Sequence, residues 1–351
     1  MLLFLAHELR AWLLHYSPFV LYGLIDKNYY EHHLLFVEAI YLLLKDVVRM
    51  CDTRQSSLLL NKYCYLFSTL YGKHHMSANV HSMLHLPEVV RDLGPLFANS
   101  CFPYETANGD ILKLFHGSQG VEKQVVKRVR DTQMLSDTAR LTLVPDSHEL
   151  DWYLRMHSKQ RHNMKGKVLV TDKIFLIGNP CRDSDLQPLE LDLLRQSGIT
   201  LSAYNCYPHL YLLNTCRTVT TCSASKAKKR IDYCIMYERD DGVHYGLLQK
   251  LVMLSLRCFA VLIPLLESTE NLCSNWISMN NFHNHYRLCH PPRVEDTILI
   301  DTSRIIDKCI YIDAQNELNL VFVSMFPNSK ANIITTNNEV TNLVNNPLSN
   351  A

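Results

Sequence analysis

The sequence predicts an α+β chain with helices first and short strands after them. Two observations carry that expectation. Apolar residues recur at helical spacing from Glu8 to about Phe115. From about Lys167 they gather instead into short runs bounded by turn residues. Composition bounds the class. Of 351 residues, 47% are hydrophobic and 20% charged, which provides a core and excludes a wholly disordered chain.

The helices follow in order. Glu8 to Tyr16 carries Leu9, Trp12, Leu13 and Tyr16 on one stripe, and Ser17-Pro18 is expected to stop it. Tyr29 to Val48 presents Leu34, Val37, Tyr41 and Leu44. Ser57 to Tyr71 ends at Gly72, and a fourth helix starts near Asn79 and runs through His81 and His85 to Leu86. Pro87 suits the first turn of a short helix ending at Gly94, and a last helix is expected from Tyr104 to Phe115. The strand candidates begin with Lys167–Val170 and Lys173–Ile177. Glu190–Gln196 reads as a small helix. Then come Ile231–Tyr237, Tyr245–Leu254, Cys258–Pro264, Ile298–Ile300, Lys308–Asp313 and Leu320–Phe326, about six strands and enough for a small barrel or sandwich. The expected division is a helical part over 1–135, a mixed connector over 136–220, a β-rich, barrel-like module over 221–328 and a disordered tail over 329–351.

Charge and motifs remove several function classes. Lys plus Arg number 35 and Asp plus Glu 34, so any nucleic-acid contact must come from a local patch. No GxGxxG or GxxxxGK[ST] occurs, which removes the main support for a nucleotide-binding fold. The twelve cysteines form no CxxC pair and read as free thiols of a reducing compartment. Met1-Leu-Leu-Phe-Leu5 meets Glu8 and Arg10 too soon for a signal peptide, and no apolar run reaches a membrane span.

The chemistry-bearing stretch is Asn79-Val-His-Ser-Met-Leu-His85, followed by Gly94-Pro95 and Ser100-Cys-Phe-Pro-Tyr-Glu105-Thr-Ala-Asn-Gly109. His81 and His85 stand four apart, so on a helix both imidazoles leave one face and can reach one Zn²⁺. By spacing alone the pair reads more readily as a partly buried helix pair with no metal, and Glu105 as a carboxylate meeting a helix dipole. Lys226, Lys228, Lys229 and Arg230 form a compact basic cluster suited to a phosphate contact, a nuclear address or a solvated loop. Lys123, Lys127, Arg128 and Arg130 read as an exposed helix face. His283, His285, Cys289 and His290 match no common structural zinc spacing.

Taken in order, these motifs resemble the C-terminal part of CACTA (En/Spm)-type DDE transposases. The same resemblance takes in Glu8-Leu-Arg-Ala-Trp12, Tyr30-Glu-His32, Val37-Glu38-Ala-Ile-Tyr41 and His116-Gly117-Ser118-Gln119-Gly120. More loosely it includes Lys173-Ile-Phe-Leu-Ile-Gly178, His244-Tyr245-Gly246 and Phe326-Pro327-Asn328. The resemblance implies an RNase H-like catalytic domain whose helical remnant is residues 1–135, followed by a small β-rich accessory module. It makes Glu105 the third catalytic acid, His81 and His85 half of a zinc site, and Mg²⁺ the catalytic metal of a completed site. DNA and the missing N-terminal half of a transposase are the implied partners, no membrane among them, and the nucleus the implied location. The family's first two acids and CxxC pair lie upstream of the segment with which this chain begins, and Asp26, Asp46 and Asp52 match no catalytic motif. The expected function is therefore a transposase-derived protein inactive alone. The alternative is a non-catalytic DNA- or protein-binding module.

Overall fold

The computed structural model describes residues 6–101, 119–144, 168–180, 186–197, 204–225, 232–254, 257–270, 285–313 and 319–328, with 104, 108–109, 111–112, 147–149 and 153. Two compact units result. One combines residues 1–98 with 164–329; the other combines 99–163 with 330–351.

In the larger unit, α1 (Ala6–Ala11) passes through a π turn at Trp12–Tyr16 into α2 (Ser17–Val20). Ser17-Pro18 therefore does not end the helical path. The wide turn bonds the Ser17 N–H back to the Trp12 carbonyl, and Pro18 falls in the first turn of α2, where no N–H is required. Helix α3 (Lys27–Leu43) starts at Asp26, whose carboxylate accepts the Asn28 N–H at 2.9 Å. Helix α4 (Met50–Tyr71) starts seven residues before Ser57, because Asp52 accepts the Arg49 N–H at 2.9 Å and closes a capping box. It ends at Gly72, whose φ of +91° suits glycine. Helices α5 (Ala78–Ser82) and α6 (Leu86–Leu93) flank a 3₁₀ turn at Met83–His85.

Thirteen strands are described, in three antiparallel sheets. The first has the order β1 (Val168–Thr171), β2 (Ile174–Ile177), β4 (His209–Leu212), β5 (Arg217–Thr220). The second runs β10 (Ile298–Asp301), β8 (Arg257–Leu265), β7 (Gly242–Leu254), β6 (Cys234–Arg239), β11 (Ile305–Lys308), with β3 (Asn205–Tyr207) also on β7. The third is β12 (Ile310–Asp313), β13 (Val321–Ser324), β9 (Tyr286–Cys289).

The barrel-like module expected over 221–328 is not formed: among the described residues no sheet closes. A 3₁₀ turn at Thr302–Arg304 links β10 to β11, which lie at opposite edges of their sheet. Four interstrand gaps would set those edges about 19 Å apart in a flat sheet, more than the roughly 14 Å that four residues reach. The sheet must therefore curl. It stays open because β10 pairs with β8 and β11 with β6, not with each other, while β9, β12 and β13 leave for a sheet of their own.

That third sheet has two covered faces. Tyr286, Leu288 and Phe322 join Phe19, Tyr30, Leu34, Leu35, Leu42 and Leu60 of the helices in one core. Val321, Val323 and Cys289 join Cys234, Tyr245 and Cys309 in another. Two motif glycines serve close packing. A Cβ at Gly178, where φ is +106°, would meet Pro208 Cγ at 2.7 Å, and one at Gly246 would meet the Ile263 carbonyl at 3.1 Å and Tyr237 Cε1 at 3.2 Å. The smaller unit carries α7 (Val121–Thr142), which begins at Gly120 with φ +62°.

Candidate functional site

The histidine pair sits on a segment anchored from behind. Ser77 caps α5 by accepting the Val80 N–H at 3.4 Å, and Cys64 Sγ donates to the Val80 carbonyl at 3.3 Å. Val80, Pro87 and Val90 are buried, and Val90 joins the helical core. With those residues facing inward, His81 and His85 are turned out and exposed. Their ring centroids lie 5.4 Å apart, edge to face. His85 Nδ1 is 3.3 Å from Glu88 Oε2, three residues on. The i, i+4 expectation thus holds for proximity, although a 3₁₀ turn interrupts the α-helix between the two rings.

The donor set does not fit a closed zinc site. Two imidazoles leave a tetrahedral ion half-liganded, and no group of three His, Cys, Asp or Glu among the described residues could hold a metal. Of the other site residues expected from sequence, Glu105, Lys226, Lys228, Lys229 and Arg230 lie outside the described residues. The late cluster divides. His283 is outside the described residues, Cys289 is buried within a core, and His290 is exposed.

His285 belongs to a group that sequence spacing does not announce, a polar seam where the N-terminal helices meet the strands. Its ring stacks on Tyr41 at 3.7 Å, and its Nε2 lies 3.4 Å from Glu38 Oε1. Glu38 is 1% exposed and neither carboxylate oxygen has a hydrogen bond among the described residues. Nearby, Tyr286 Oη donates to the Leu14 carbonyl at 2.6 Å and Tyr41 Oη to the Met325 carbonyl at 3.4 Å. Burial pushes both phenols up, with the Glu38 charge adding to the effect, so both stay neutral donors.

Arg217, 4% exposed, ties the seam together. Its guanidinium donates to Asp307 and to the Asn328 carbonyl and lies over the Phe326 ring, 4.1 Å from its centroid. Asn328 Nδ2 in turn donates to the Leu44 carbonyl at 2.6 Å. His15 Nδ1 is 2.8 Å from Ser324 Oγ. Burial first, then the charges of Arg10 and Arg217, push His15 down to about 3, so it is neutral in the folded chain. Tyr41, Phe326 and Asn328, all within the motifs above, are therefore packing and hydrogen-bonding residues, and Glu38 is the buried neighbour of His285. The signal that could have found them is a charged or amide residue inside an otherwise apolar run, as at Glu38.

A cavity of about 530 Å³ lies beside the second sheet, lined in part by Arg239, Arg257 and Arg304. Arg257 pairs with Asp301 at 3.1 Å and Arg304 with Asp240 at 3.2 Å, so most of its positive charge is met in place. The ten described cysteines are free thiols, and among the described residues no helix is long and apolar enough to cross a membrane. Comparison of the chain with protein-family models, curated proteins and solved structures finds no match in any of the three.

Proposed function

We propose that this chain is a transposase-derived, DNA-binding protein that neither cuts nor joins DNA by itself. The observation that supports the reading is the ordered motif series, in which His81 and His85 form an exposed pair 5.4 Å apart and Glu105 follows twenty residues later. DDE chemistry holds two divalent ions with several carboxylates, activates a water or 3′-hydroxyl with one ion, and stabilises the leaving oxygen with the other. Glu105 alone cannot hold two ions. In this reading the remaining acids come from outside these 351 residues, Mg²⁺ enters only the completed site, and Zn²⁺ binds weakly at the histidine pair. Lys226, Lys228, Lys229 and Arg230 contact DNA phosphates, and the nucleus is the compartment where the protein acts.

A second reading keeps the binding and drops the chemistry, as in a module retained from a mobile element. The structural use of Glu38, Gly178, Gly246, Phe326 and Asn328 favours it, because these motif residues serve the fold whether or not a metal site is ever built.

Supercoiled plasmid incubated with Mg²⁺ or Mn²⁺ separates these readings from an active enzyme. The parent chain should leave the plasmid supercoiled, as should Glu105→Gln protein. Nicking by the parent that vanishes in the Glu105→Gln protein would overturn the inactive-alone reading.

A further inference from the structure

We infer that the outward face of α7 is a contact for the sugar–phosphate backbone of a single DNA strand. This rests on the reading of the chain as DNA-binding and adds a place for the contact that the motif series does not contain. Lys123, Lys127 and Arg130 stand at i, i+4 and i+7, which aligns them on one side of an α-helix. With Val126 and Met134 they line one groove of about 640 Å³. All three cations are exposed, and they have no ion pair or hydrogen bond among the described residues. At about 1.5 Å per residue the line is about 10.5 Å long. A DNA strand carries one charge per roughly 3.4 Å of axis, so about three phosphates pass along that length.

The flanking residues choose among anionic partners. Glu122 and Asp131 also line the groove. At about 100° per residue they fall on opposite borders of the cationic line. Their carboxylates repel a broad anionic surface, such as an acidic membrane or the face of an acidic protein, and leave a lane one strand wide. Val126, 68% exposed, and Met134, 54% exposed, offer apolar atoms to the deoxyribose between phosphates. Arg128, only one residue from Lys127, leaves the helix from the far side and falls outside the groove.

The test is the salt dependence of duplex DNA binding by the full chain, measured for the parent, for Lys123→Gln/Lys127→Gln/Arg130→Gln and for Arg128→Gln. Glutamine keeps helix propensity close to that of lysine and arginine, and far-UV circular dichroism checks that each variant is folded. The triple variant should make the slope of log K against log salt shallower by about 2 to 3, while Arg128→Gln leaves it unchanged. A Lys123→Arg/Lys127→Arg variant, which keeps the charges, should retain the parent slope. A parent slope untouched by the triple variant overturns the contact and leaves the DNA-binding reading standing. An Arg128→Gln slope change as large as one third of the triple variant's also overturns it, since charge anywhere on the helix would then serve. A parent that binds no DNA at any salt overturns the DNA-binding reading and this contact with it.

Discussion

Helices α3 and α7 are both long and both carry charge through their middle, yet they put it to opposite uses. In α3, Glu31, His32 and Glu38 are buried among Leu34, Leu35, Val37, Ala39 and Leu42. His32 Nε2 lies 2.9 Å from the Tyr63 carbonyl, and Glu38 faces His285. In α7, Ala139 is buried and the other described side chains are at least partly exposed, Lys123, Lys127 and Arg130 among them. The residues between the charges make the difference. Those of α3 are almost all large and apolar, so its polar groups must find partners in the interior, where an unpaired one is costly. Those of α7 include Gln124, Thr132, Gln133 and Thr138, which leave Lys123, Lys127 and Arg130 in water and free for a partner. Charge on a helix reports function only after the apolar residues around it have been counted.

The largest test of that contrast is at the seam beside α3. Arg217→Met keeps the aliphatic stem but removes the donor to Asp307 and to the Asn328 carbonyl, and it should cost about 3–5 kcal/mol in urea unfolding. A loss under about 1 kcal/mol would break the comparison, since a buried charge would then matter no more than an exposed one. Next, Leu34→Ala in α3, at a fully buried position, should cost about 3 kcal/mol and lower Tm accordingly.

A smaller effect is set by pH. His15 is held at about 3 in the fold against 6.5 unfolded, and burial is the main cause. Between those values the unfolded chain binds a proton that the folded chain refuses. This contribution is therefore fully present above pH 6.5 and lost as pH falls toward 3, with a slope of at most about 1.4 kcal/mol per pH unit. Unfolding of His15→Gln protein from pH 7 to 4 should show a flatter profile. His33, which burial pushes down to about 4, leaves a residual slope. The smallest effect belongs to α7, where Val126→Ala should change stability by no more than about 0.5 kcal/mol.

The fold was legible wherever one periodicity ran unbroken. Helix α3 and strands β7 and β8 lie close to where their apolar patterns put them. Strands β3, β4, β5 and β9 are not among the expected strands: each is only three or four residues long, Arg217 opens β5 and Arg287 interrupts β9. Asp52, which fits no catalytic motif, proved to be the residue that starts α4. The open sheet was illegible for a different reason. Strand count says nothing about where the chain leaves a sheet, and here it leaves at Cys309, between β11 and β12. At the candidate site, the closeness of His81 and His85 followed from four-residue spacing. The Arg217 contacts did not, because its partners lie 90 and 111 residues away.

Those long separations have a consequence in time. Leu14, His15, Tyr41 and Leu44 reach their partners Tyr286, Ser324, Met325 and Asn328 across 272 to 309 residues. At about 5–20 residues per second, synthesis sets roughly 15–60 s between the appearance of the first helices and of the strands that cover them. Throughout that interval Phe19, Leu34 and Leu35 have neither Tyr286 nor Phe322 to pack against. Until then the helices can form only the part of that core they share with one another, Leu34 and Leu35 with Leu59, Leu60 and Val90, while the face that meets Tyr286 and Phe322 stays uncovered.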